Sequence, residues 1–184
     1  KKNIPYGAGL GGASADAAAL LRGLRKLKAY KESINYEELS LISSDLPMCF
    51  ESKDCIVTGM GEKILNKQKF SKYYFVLIKP DFSLSTKIVY SNLLTKKNKI
   101  KNIIFGSTKD TKIYLNDLEK AAIKLNPTMK KLLKNLSLLD NVIFSQMTGS
   151  GSCCFAAFSS LNQAMKASSQ IKKIYPNWWS CIAE

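Results

Sequence analysis

Histidine is absent from all 184 residues. That removes Ser-His-Asp and Cys-His catalysis, imidazole acid–base chemistry and histidine-ligated zinc. Arginine is scarce: Arg22 and Arg25 are arginines, and every other basic residue is a lysine. Surfaces dedicated to nucleic acid usually favour arginine's bidentate fork. The five cysteines, Cys49, Cys55, Cys153, Cys154 and Cys181, form no C-x-x-C pair and are odd in number. A reducing compartment is the simplest account of them. Apolar runs are short as well, and none approaches the roughly 18 residues that a membrane span needs. The longest stretch of low polarity, residues 8–21, is mostly Gly and Ala and is interrupted by Asp16. Lys1-Lys2 is followed closely by Pro5 and then by glycines, which is not the pattern of a secretory leader. The expected location is cytoplasmic. Residue 1 is not Met, so it is not expected to be the natural start.

What remains is a basic chain with apolar content sufficient for a core. Lys+Arg number 28 against 14 Asp+Glu, a net charge of +14, and 46% of residues are hydrophobic. The lysine excess admits three readings: solvated lysines reflecting AT-rich coding, attraction of an anionic small substrate, or nucleic acid. Periodicity predicts a helix over 16–28, with Leu20, Leu21, Leu24 and Leu27 on one stripe, and a second over 36–43. Residues 48–57 read as extended after Asp45-Leu46-Pro47, and Gly59 and Gly61 as a turn. Residues 73–78 form a β-branched and aromatic run closed by Pro80, the signature of a buried strand. Helices are expected at 86–94, 115–125 and 128–136, the last two split by Asn126-Pro127, with 96–101 a lysine-rich surface loop. Strands at 142–147 and 153–158, joined by Gly149-Ser150-Gly151, precede a helix at 162–174 and a strand at 178–182. That order suits an antiparallel or mixed sheet with helices on one face, so the class is α+β.

The segment richest in chemistry is Pro5-Tyr6-Gly7-Ala8-Gly9-Leu10-Gly11-Gly12-Ala13-Ser14-Ala15-Asp16. Glycines let a backbone turn sharply and bring its amides close to a ligand, and the helix that follows aims its unpaired N–H groups at the same spot. Together they make an anion site suited to phosphate. Ser14 would either cap the helix or touch a phosphate or Mg²⁺. A Walker A loop fails, because Gly12 is followed by Ala13-Ser14 where Lys-Ser/Thr is required. The dinucleotide fingerprint is formally met by Gly7-x-Gly9-x-x-Gly12 with Glu32 further on. That loop must leave a buried central strand, however, and Pro5 removes a ladder donor there. A purely structural turn would not need so many glycines.

Pro5-x-Gly7-x-Gly9-Leu10-Gly11-Gly12-x-Ser14, followed by a small-residue helix, resembles the ATP loop of the GHMP small-molecule kinases. Two further stretches are similar to the branch of that family that acts on 4-diphosphocytidyl-2-C-methyl-D-erythritol (CDP-methylerythritol). They are Ser44-Asp45-Leu46-Pro47-Met48-Cys49-Phe50 and the glycine motif from Met147 to Ala156; Asn116-Asp117-Leu118-Glu119 recurs there too as a helix start. The resemblance covers the whole chain. It implies a GHMP kinase-like two-domain fold, with a ribosomal-protein-S5-domain-2-like N-terminal part (residues 1–68, incomplete) and a ferredoxin-like C-terminal domain (residues 69–184).

The reaction implied is ATP-dependent phosphorylation of an alcohol, achieved mainly by positioning and charge neutralisation. ATP would be held by the loop residues Pro5, Tyr6, Gly7, Ala8, Gly9, Leu10, Gly11, Gly12, Ala13, Ser14 and Ala15. Asp45 would be the catalytic base, unless it is only a capping or turn residue before Pro47. Thr148, Gly149, Ser150 and Gly151 would support the loop. Mg²⁺ would bridge phosphate oxygens, with no residue of the chain assigned as a metal ligand. The implied partner is the small molecule CDP-methylerythritol, with no membrane and no nucleic acid. The family usually has Gly and Ser or Ala where Ala13 and Ala15 stand, changes that spare the backbone donors. It also carries a segment before the loop, with a catalytic lysine, adenine contacts and a cytidine site. The expectation is therefore a fragment or truncated product, binding nucleotide weakly and turning over little by itself. Residues 1–60 alone would leave an apolar face and a strand edge uncovered. Another GHMP kinase and a basic, non-catalytic RNA-binding remnant stand as alternatives.

Overall fold

The computed structural model describes residues 3–29, 33–65, 72–93 and 116–184. The chain divides into two compact units, Gly11–Phe70 on one hand and Lys1–Leu10 with Ser71–Glu184 on the other. No helix among the described residues is long and apolar enough to cross a membrane. The surface loop expected at 96–101, the start of the helix expected at 115 and the candidate acidic residue Glu32 lie outside the described residues.

In the unit Gly11–Phe70, α1 (Gly12–Lys26) begins ahead of the expected residue 16. Gly11 at its N-cap adopts left-handed geometry (φ 62°, ψ 22°), which turns the chain directly into the helix, and Ala13 and Ala15 are strong helix formers. Arg25 and Lys26 sit in its last turn, where the helix dipole favours cations. α2 (Tyr36–Ile42) is capped by Asn35, whose side chain accepts from the Glu37 amide at 2.9 Å. The next segment corrects the extended reading of 48–57: Leu46–Glu51 is a helix, α3, and only Ile56–Thr58 is a strand, β1. Pro47 occupies the first turn of α3, where its missing N–H costs nothing and its fixed φ suits a helix. β1 pairs antiparallel with β2 (Lys63–Leu65), and Gly59 and Gly61 lie in the turn between them.

Ala18, Leu39, Leu46 and Phe50 form the core of this unit, with Ala17, Leu21, Ile34 and Tyr36 packed around them. The expected leucine stripe is corrected here: Leu20 is 64% and Leu27 78% exposed, because α1 meets its neighbours through the small Ala17–Ala18 side and Leu21. Arg22 Nη1 donates to the carbonyls of Cys49 (2.5 Å) and Phe50 (3.3 Å), satisfying acceptors at the end of α3 that have no intrahelical partner.

The other unit contains β3 (Tyr74–Lys79), α4 (Thr86–Ser91), α5 (Leu118–Leu125), α6 (Thr128–Ser137), β4 (Phe144–Met147), β5 (Cys154–Phe158), α7 (Leu161–Ile174) and β6 (Trp179–Ala183). The strand order is β4-β5-β3-β6 with every neighbour antiparallel. With helical crossovers between β3 and β4 and between β5 and β6, this is the ferredoxin-like β-α-β-β-α-β arrangement expected from the sequence. Val76, Ile78, Cys154, Ala156 and Phe158 point from the sheet into a core shared with Met129, Leu132 and Leu136 of α6 and Ala164, Ala167 and Ile171 of α7. The alternate positions Phe75, Phe144 and Phe155 take the opposite face, where they meet edge to face with centroids 5.6 to 5.7 Å apart. The Ser160 side chain caps α7 by accepting from the Gln163 amide.

Candidate functional site

Two sets of functional groups are built, one in each unit. In Gly11–Phe70 the set centres on the start of α1. Its first amides have no intrahelical acceptor, Gly11 supplies no side-chain cap, and no acidic residue occupies the first turn. Ser14 is therefore not the cap that its position suggested: its Oγ lies 2.9 Å from Ser43 Oγ. Ser43 Oγ also accepts from the Asp45 amide at 3.4 Å. Asp45 occupies the N-cap position of α3, yet its side chain makes no cap hydrogen bond. Its carboxylate turns instead toward the start of α1. A Cβ placed on Gly11 would sit 3.4 Å from Asp45 Oδ2 and 4.0 Å from Cys49 Sγ. An exposed carboxylate thus stands beside the uncapped start of α1. Burial, and after it the Asp45 carboxylate, push the Cys49 thiol above its ordinary 9.0, with Arg22 pulling the other way. Cys49 is consequently a protonated neighbour of the carboxylate at neutral pH, not a thiolate nucleophile.

In the other unit the set is the run 3–10 and the turn after β4. Ala8 is buried; its carbonyl accepts from the Cys153 amide (3.3 Å) and from Thr148 Oγ1 (3.1 Å). Gly9, at φ +66°, lies so close to the second glycine turn that a Cβ there would be 2.7 Å from Gly151 O and 2.8 Å from Thr148 O. The Gly151 amide donates to Thr148 O at 2.8 Å, which closes that turn. Ser150 Oγ meets Thr86 Oγ1 at 2.8 Å. Pro5 and Leu10 are half-buried, whereas Tyr6 projects into solvent, 96% exposed. Cys153 and Cys154 are fully buried, and burial raises the Cys153 thiol to about 12. All five cysteines are free.

Of the residues singled out in the sequence, Gly11, Gly12, Ala13, Ser14, Ala15 and Asp45 gather at the start of α1. Ala8 and Gly9 meet Thr148, Gly149 and Gly151 within the other unit. Sequence reasoning missed Ser43, which links Ser14 to the Asp45 backbone. It also did not anticipate the work of Asn116, whose Nδ2 donates to Met147 O (2.9 Å) and Gly149 O (2.7 Å). The signal available for Asn116 was its position as an Asx residue two before Leu118, whose amide it accepts at 3.0 Å.

The family model for the GHMP kinases N terminal domain matches residues 1–61, and that for GHMP kinases C terminal matches residues 101–177. A protein of Anaplasma phagocytophilum (strain HZ) named 4-diphosphocytidyl-2-C-methyl-D-erythritol kinase is 36% identical over 97% of this chain and 62% of its own length. A protein of the same name from Wolbachia pipientis wMel is 37% identical over 98% of this chain and 65% of its own. The chain therefore spans 62% and 65% of the length of these two relatives. Among solved structures, a 4-(cytidine 5'-diphospho)-2C-methyl-D-erythritol kinase superposes with a TM-score of 0.76 at 25% identity, covering 99% of this chain and 68% of that one. Homoserine kinase from Cytophaga hutchinsonii, at 17% identity, TM-score 0.65 and 99% and 67% coverage, shares the fold.

Proposed function

We propose that this chain, which belongs to the GHMP kinase family, carries the phosphate loop and catalytic base of an ATP-dependent small-molecule kinase. The acceptor proposed is the hydroxyl of 4-diphosphocytidyl-2-C-methyl-D-erythritol, a step in non-mevalonate isoprenoid precursor synthesis. The names of the relatives favour this acceptor over those of other GHMP kinases. A cytoplasmic location goes with the reading.

The run 5–15 holds the terminal phosphates of ATP through backbone N–H groups, which Pro5 lacks and Ala15 spends on Gly11 O (2.9 Å); the free amides at the start of α1 contribute the positive end of the helix dipole. Asp45 accepts the proton of the substrate hydroxyl as its oxygen forms a bond to the γ-phosphorus. The bond from that phosphorus to the bridging oxygen breaks, and ADP leaves with the bonding pair. The N–H groups neutralise charge on the transferring oxygens, which is where most of the rate comes from. Ser14 Oγ offers a hard oxygen donor of the kind that Mg²⁺ takes alongside nucleotide phosphates, and that ion would add further neutralisation. Thr148, Gly149, Ser150 and Gly151 keep the loop in shape behind the nucleotide.

One observation carries the reading: the Asp45 carboxylate is free of its own helix and stands beside the uncapped start of α1. The test is Asp45→Asn in an assay of ATP-dependent phosphorylation of CDP-methylerythritol by the purified protein. Loss of a general base should lower kcat by about 10²–10⁴ while ATP still binds. Wild-type turnover in the variant would remove Asp45 from the chemistry.

A further inference from the structure

Lys79 ends β3 and is only 7% exposed, an unusual fate for a lysine. Among the described residues its Nζ meets two neutral carbonyls, Pro80 O at 2.9 Å and Phe82 O at 3.0 Å. A buried ammonium group is costly to hold, and it persists where the acceptors around it need its donors. Phe82 O takes a second donor, Ser152 Oγ, at 2.8 Å. Two walls are joined at that oxygen. One is the turn 80–83, whose Ser83 Oγ lies 3.0 Å from where a Cβ on Gly7 would sit. The other is the turn 148–152, whose Gly151 O and Thr148 O close on Gly9 and whose neighbour Cys153 donates to Ala8 O. Residues 7–9 of the glycine run lie against both walls, within one compact unit.

We infer that Lys79 is a positioning residue for the glycine loop: through the Phe82 carbonyl it locks together the two turns against which Gly7, Ala8 and Gly9 rest. It touches neither nucleotide nor acceptor, and acts by keeping the loop amides aimed. Its value for catalysis rests on the kinase reading above; the loop order itself does not.

The experiment compares wild type with Lys79→Met, which keeps the apolar stem and removes the donors, and with Ser152→Ala, which removes the other donor to Phe82 O. Amide hydrogen exchange is followed at Gly151 and Cys153, whose N–H groups donate to Thr148 O and to Ala8 O, and, as an internal reference, in α7. KM is measured separately for ATP and for the alcohol acceptor. Each variant should exchange about tenfold or more faster at Gly151 and Cys153 with α7 unchanged, and KM for ATP should rise about tenfold with acceptor KM constant. If Lys79→Met does not fold, Ser152→Ala decides by the same readings. Unchanged exchange at Gly151 and Cys153, or an equal rise in α7, overturns the inference. If wild type neither binds nor uses ATP, the kinase reading falls while the exchange comparison still decides the role of Lys79.

Discussion

Gly9→Ala is the sharpest test of how the loop is packed. The added methyl would lie 2.7 Å from Gly151 O, 2.8 Å from Thr148 O and 3.1 Å from Gly151 N, against an ordinary contact that begins at 3.4 Å. The two oxygens are backbone atoms of a turn already closed by the Gly151 N–H to Thr148 O bond at 2.8 Å. They cannot swing aside as the tip of a long side chain would. Overpacking of this kind costs about 1–3 kcal/mol. The left-handed φ of +66° adds about 1–2 kcal/mol once a Cβ is present. The expected loss is thus about 2–5 kcal/mol, a large share of the 5–15 kcal/mol typical of a whole domain. Both tryptophans, Trp178 and Trp179, belong to the same unit as Gly9, so urea unfolding followed by tryptophan fluorescence reads that unit directly. The midpoint should fall markedly with little change in slope. Gly23→Ala is the control: it lies inside α1 with nothing within 4 Å of the new methyl, and should gain about 0.8–1 kcal/mol in the other unit. A Gly9→Ala protein as stable as wild type would refute the close packing of the loop on the second glycine turn.

Three further results are expected. Asn116→Ala strips donors from Met147 O and Gly149 O and should cost about 1–3 kcal/mol by urea unfolding; an unchanged midpoint would deny it a supporting role. Cys153 and Cys154, buried and with thiols raised by that burial, should resist a thiol reagent at pH 8 until the chain is unfolded by denaturant; prompt labelling of either in the native protein would contradict their placement. The unfolded Cys153 thiol ionises near 9.0 and the folded one near 12, so its stabilising share is complete below pH 9 and lost as pH rises toward 12. That share changes by at most about 1.4 kcal/mol per pH unit, and Cys153→Ala should flatten the alkaline fall in stability by a corresponding amount.

The ferredoxin-like unit was legible because its strands are unmixed signals. The run at Tyr74–Lys79 is rich in aromatic and β-branched residues and stops at Pro80, and Asn126-Pro127 cleanly parts two helices. Patterns within one segment are local and survive folding. What was not legible depends on partners far along the chain. The leucine stripe of α1 misled because a helix buries the side that another element approaches. Here that element comes to Ala17, Ala18 and Leu21, leaving Leu20 and Leu27 outward. That residues 3–10 pack in the same unit as Ser71–Glu184 rests on contacts such as Ala8 O with Thr148 Oγ1, which no periodicity announces. Lys79 left no trace either, since a lysine after a strand reads as a solvated one.

Asp45 shows how a misread element can hide the surroundings of a residue that the sequence singles out. Treated as an extended segment, 48–57 makes Pro47 a terminator and Asp45 an ordinary turn residue. With Pro47 in the first turn of α3, Asp45 becomes the N-cap, the position where a carboxylate normally folds back to bond the amides two or three residues on. It does not do so here. Leu46 is only 1% exposed and the helix is anchored through Leu46 and Phe50, so α3 is held by burial and does not depend on that cap. Forgoing the cap costs about 1 kcal/mol, and what the molecule gains is a carboxylate aimed at Gly11. Ser85 and Asp117 likewise make no cap bond to their helices, and the helical backbone of Asp45 (φ −85°, ψ −13°) aims its side chain away from the α3 amides; what sets Asp45 apart is the nearness of its Oδ2 to Gly11.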